Sequence, residues 1–120
     1  MNLRSLTLSV AAIAGFLATA LPANAEFFGW QVGNVADWDV LNVRAAPASG
    51  AAILVGYPTG TALSLTGNCT GGLKLDDISG KPKFQQIAAV RYRWCEVCVD
   101  PKGDGNYQAG WVYGKYIAPL

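Results

Sequence analysis

Leu41 and Val43 alternate with Asn42 and Arg44 in the stretch LNVRAAPASG, residues 41–50. One apolar and one polar face at period two is the pattern of a half-buried strand. Small residues around Pro47 and Gly50 then end it in a turn. The same pattern recurs beyond residue 25, where Gly, Pro and Asn punctuate short runs rich in Val, Ile, Tyr and Trp. Residues 30–44 give one or two strands, and residues 51–58 and 61–67 give two more, joined by the tight turn PTG at 58–60. RYRWCEVCV (91–99) and QAGWVYGKYIA (108–118) form a hairpin around DPKGDGN (100–106), whose Asp, Gly and Asn tolerate left-handed backbone. FQQIAAV (84–90) is expected to pair at an edge, and NCTGGLKLDDISGKPK (68–83) to form a long loop. Such loops are uncommon in compact domains, and are either functional or tolerated surface insertions. Short strands with regular turn signals predict an all-β barrel or sandwich.

The first 25 residues read differently. Arg4 precedes an apolar run over residues 6–21, and Ala23 and Ala25 form an A-x-A cleavage site. These are the parts of a secretory signal peptide. The run falls short of the roughly 20 residues that span a bilayer. Cleavage after Ala25 would leave 26–120 as one small domain, periplasmic or secreted and without a membrane anchor. It would also remove Arg4 from the nine Lys and Arg, leaving eight against eight Asp and Glu. A neutral domain has no general electrostatic pull on nucleic acid or anionic membrane.

Three ordered pieces carry a family resemblance: LNVRAAPASGAAILVGYPTGTAL, then WCEV, then GWVYGKYI. Together they resemble the bacterial SH3-like domain family (SH3b). The matching residues are Leu41, Asn42, Val43, Arg44, Pro47, Gly56, Pro58, Gly60, Thr61, Trp94, Val97, Gly110, Trp111, Val112 and Tyr116. The resemblance spans about residues 35–118. It implies a small half-open barrel of about five to seven strands. Two parts depart from the pattern, an N-terminal extension at 26–34 and an insertion at 70–91. Leu41 and Val43 would face the barrel core, with Asn42 and Arg44 outward beside the first loop. There Asn42 can bond nearby backbone, and Arg44 can cap carbonyls or lie over a ring, so both are expected to shape the turn at 45–50.

Three cysteines, Cys69, Cys95 and Cys98, allow three single pairings. In an exported chain cysteine reads first as disulfide. Cys95 and Cys98 would lie about 10 Å apart on opposite faces of an extended strand, beyond the roughly 7 Å a disulfide bridges. The resemblance implies Cys69–Cys95, one cysteine after the alternating strand and one after the Trp of the next. Such a bridge is worth about 3–4 kcal/mol in the chain-entropy account. Cys98 is then a buried free thiol or the site of an intermolecular disulfide.

The chemistry excluded is as informative. With no His in the chain, Ser–His and Cys–His nucleophile systems have no base. Three Cys lack a fourth zinc ligand, so no metal or other cofactor is expected. Asp76–Asp77 on a polar segment reads as solvated, and Lys102 breaks the calcium-loop pattern in DPKGDGN. No catalytic residue is assigned. Trp30, Trp38, Tyr92, Trp94, Tyr107, Trp111, Tyr113 and Tyr116 are many large amphipathic rings for so small a domain. On the strand patterns Trp94 lies opposite Cys95, Val97 and Val99, and Trp111 and Tyr113 lie opposite Val112. Rings exposed in this way suit sugars or extended peptides. The ligand candidates are Tyr57, Tyr92, Trp94, Trp111 and Tyr113. By resemblance, the expected function is a non-enzymatic exported module that binds peptidoglycan or a peptide. Two alternatives are an interaction or inhibitor subunit of an envelope complex, and self-assembly as a disulfide-linked dimer.

Overall fold

The computed structural model describes residues 27–120. The signal-peptide reading of residues 1–25 lies outside them. Seven antiparallel strands form one sheet: β1 (Phe28–Val32), β2 (Leu41–Arg44), β3 (Ile53–Tyr57), β4 (Ala62–Cys69), β5 (Trp94–Val99), β6 (Gln108–Tyr113) and β7 (Ile117–Pro119). Their order is β3-β2-β6-β5-β4-β1-β7. The all-β architecture is the one the strand patterns predict. Alternation sets which face is buried. Leu41 and Val43 on β2, Leu63 and Leu65 on β4, Cys95, Val97 and Val99 on β5, and Val112 on β6 all turn into one core. Gly60, at φ 86°, makes the left-handed turn between β3 and β4, and its N–H donates 2.8 Å to the Val32 carbonyl.

Two sequence expectations are corrected. Residues 27–34, read above as an extension outside the family pattern, contribute a strand to the sheet. They hold β1, which pairs with β4 on one side and β7 on the other and buries Trp30 and Val32. The expected edge strand at 84–90 is instead the helix α1 (Lys83–Val90). Gln and Ala are good helix formers, and Pro82 stands at its start, where a missing N–H costs nothing. The Pro82 carbonyl accepts from the N–H groups of Gln85 and Gln86 at 3.0 and 3.1 Å.

The segment read as a long loop is ordered too. β4 runs on to Cys69, and 3-10 turns follow at Thr70–Gly72 and Leu75–Asp77. Leu75, Ile78 and Val90 enter the same core as the strands, so the insertion packs against the sheet. Arg93 ties it down, donating from Nη1 to the Thr70 carbonyl at 2.8 Å and from Nε to the Ala89 carbonyl at 3.1 Å. A cation there also suits the carbonyl end of a helix. Gly114 makes the last close contact possible: a Cβ on it would overlap the Val90 carbonyl. Among the described residues no helix is long and apolar enough to cross a membrane.

Candidate functional site

The residues opposite the core form the outer face of the sheet. Across β5 and β6, Trp94 sits directly opposite Tyr113, and Glu96 opposite Trp111. Directly opposed residues share a face and touch. The Trp94 and Tyr113 rings are 5.2 Å apart between centroids, tilted by 54°. Tyr116, on the turn after β6, adds a third ring 6.3 Å from Tyr113. The three rings make a continuous aromatic floor.

Two loops wall it. Residues 33–40 connect β1 to β2 and begin against the turn that carries Tyr116, with the Gly33 N–H donating 2.8 Å to the Tyr116 carbonyl. Asn34 adopts φ 55°, a conformation Asn tolerates well, and its Nδ2 donates to the Lys115 carbonyl at 3.3 Å. Asp39 closes a turn, its N–H donating to the Ala36 carbonyl at 2.9 Å and its Oδ1 accepting from the Val40 N–H at 2.8 Å. Trp38 stands at the apex of this wall, 87% exposed. The opposite wall is the 45–50 turn. Arg44 Nη1 donates to the Ala51 carbonyl across it at 3.0 Å.

Floor and walls enclose an open cleft of about 600 Å³, lined by Trp94, Tyr113 and Tyr116, by Asn34, Asp39, Asn42, Arg44 and Ser49, and by Val35, Ala36, Val40 and Leu41. That volume lies within the range of ligand pockets, which pair apolar and aromatic lining with a few placed polar groups. No family model, curated protein or solved structure matches the chain. The cleft's own chemistry is therefore the ground for a functional reading.

The five aromatic candidates do not all meet there. Trp94 and Tyr113 line the cleft together. Trp111 lies beside it on the same face, opposite Arg44 on one strand and Glu96 on the other. Tyr92 is in the turn after α1 rather than on β5, 76% exposed, at a shallow depression with Thr70, Ala88 and Arg93. Tyr57, on β3, packs against the core. Burial raises its pKa, with the negative charges of Asp100 and Cys98 adding to the effect. Cys98 is half-buried, and burial raises its thiol pKa. Cys69 and Cys95 are joined in a disulfide, with Cα atoms 4.0 Å apart at directly paired positions of β4 and β5.

Sequence reading missed Asp39 and Ser49 as cleft residues, because nothing local shows that two loops converge over one face. Tyr116 was visible as a family position and as one of many aromatic rings, but not as a ligand candidate. Glu96 lies near the aromatics, its Oε1 accepting from the Thr66 hydroxyl at 2.8 Å and from Asn68 Nδ2 at 3.3 Å, while Asn68 Oδ1 accepts from Lys74 at 2.7 Å. Asp100 holds the β5–β6 turn, accepting from the N–H groups of Asp104 and Gly105 at 3.2 and 2.9 Å. The backbone N–H of Asn106 holds the Asp104 carboxyl below its usual pKa. No cluster of metal-ligating side chains occurs among the described residues.

Proposed function

We propose that this protein is a non-catalytic, exported binding module of the bacterial SH3-like kind, and that it holds cell-wall peptidoglycan in the cleft between its two loops. The observation that carries this reading is the floor of Trp94, Tyr113 and Tyr116 in an open cleft with polar walls. Tilted rings offer flat apolar surface to the faces of sugar rings. Their polar edges and the amides of Asn34 and Asn42 suit hydroxyl and acetamido groups. The ring packing is set by the sheet register, so little ordering cost falls on binding.

A second reading is favoured by one observation. β3 is an edge strand, Ile53 on it is half exposed, and residues 45–73 contain no charged side chain. Natural edge strands are commonly protected by charge, and an unprotected one suits strand addition by a partner.

Cosedimentation with purified sacculi at moderate and high salt separates the two. On the wall-binding reading the protein pellets at both salts, and Trp94→Ala or Tyr113→Ala weakens binding about tenfold, the typical effect of one aromatic anchor. Protein that stays in the supernatant would remove wall binding and leave a protein partner at β3 as the working reading.

A further inference from the structure

Trp38 stands almost wholly in solvent at the tip of the 33–40 loop, outside the lining of the cleft. Trp is on average a highly buried residue, and it leads the side chains that anchor protein interfaces. Its neighbours Asp37 and Asp39 are exposed as well, and residues 26–43 contain no Lys or Arg. The loop tip is therefore an aromatic knob with an acidic rim. The opposite character lies on α1. The helix buries only Val90 and leaves Phe84, Ile87 and Ala88 outside, Phe84 at 70% exposure. Next to them Thr70, Gly71, Ala88, Ala89, Tyr92 and Arg93 line a shallow depression of about 430 Å³. Residues 78–95 hold Lys81, Lys83, Arg91 and Arg93 and no acid, four of the eight cations that follow residue 25. The neutral total hides this segregation. Arg91 lies over the exposed Tyr92 ring, 5.6 Å from its centroid.

We infer that this basic, apolar face of α1 is occupied by the Trp38 knob of a second copy of this chain. The indole lies in the depression beside Tyr92 and Ala88, and Asp37 and Asp39 face the cations that flank the helix. Aromatic contact supplies most of the affinity, and the opposed charges orient the encounter and speed it. An anionic membrane would meet the same cations, but it would leave the acidic Trp38 knob without a role. Knob and depression share no residue, so one copy can offer its knob while its own helix receives another. Neither surface includes the rings of the cleft floor, so the inference stands apart from the wall-binding reading.

The test is analytical ultracentrifugation of the purified protein over a rising concentration series. All samples carry Cys98→Ala, which removes any intermolecular disulfide. This parent protein should sediment faster as its concentration rises, and less so with added salt, which screens the charges. Trp38→Ala should raise the dissociation constant at least about tenfold, the loss of one interface anchor. Ala88→Glu fills the depression with a good helix former of the wrong charge, and should do the same. The two variants mixed in equal amounts should pair again, because the first keeps the helix face and the second keeps the knob. Melting temperatures equal to the parent's separate these effects from unfolding. Parent sedimentation that does not change with concentration, association that survives Trp38→Ala, or a mixture that stays monomeric would each overturn the assignment. A monomer that pellets with phosphatidylglycerol vesicles would also overturn it, and would give this face to an anionic membrane.

Discussion

Tyr57 and Cys98 show how single residues couple this fold to pH. Both are partly withdrawn from water, and burial raises both pKa values above their ordinary 10.0 and 9.0. The unfolded chain therefore loses these protons first as pH rises. Their contribution to stability is fully present below about pH 9 and is lost as pH climbs through the folded values. Thermal unfolding followed by circular dichroism should show a melting temperature that falls as pH rises above about 9. A Tyr57→Phe, Cys98→Ala double variant should flatten part of that fall. A double variant with the same slope as wild type would show that neither residue contributes. The raised thiol pKa also keeps Cys98 protonated at neutral pH, where a thiol is a poor nucleophile.

At the scale of elements, the disulfide and the insertion work as one device. Cys69 ends β4 and Cys95 lies near the start of β5, 26 residues later in sequence and directly opposite in register. Everything between them is anchored by Leu75, Ile78 and Val90 in the core and by Arg93. Cys69→Ala, Cys95→Ala and the pair together should each lose about 3 kcal/mol in denaturant unfolding, since any of them opens the same loop. A loss near zero would contradict a bridge in the native protein.

The strands were legible because LNVR, WCEVCV and the 61–67 run carry a clean period of two. The helix was not, although Pro82 and the Gln-Gln and Ala-Ala pairs were signals for it. Phe84, Ile87 and Val90 recur every three residues, nearer a helical than a strand period, but so short a run between Gly80 and Arg91 carries the period only weakly. β1 went unrecognised as integral because its partners, β4 and β7, are distant in sequence. The cleft was half visible: alternation put Trp94 and Tyr113 on one face, while the walls depend on loop paths that no local pattern encodes.

For the whole molecule, we propose that an aromatic floor carried by β5, β6 and the turn after β6 binds a wall polymer between two loops. The measurement that tests it most directly is a titration of isotope-labelled protein with soluble peptidoglycan fragments, followed by two-dimensional NMR. Wall binding in the cleft should shift the Trp94 indole and the backbone amides of Asp39, Asn42, Ser49, Tyr113 and Tyr116, with β3 and α1 unmoved. Shifts confined to Ile53–Tyr57, or none at saturating fragment, would contradict it.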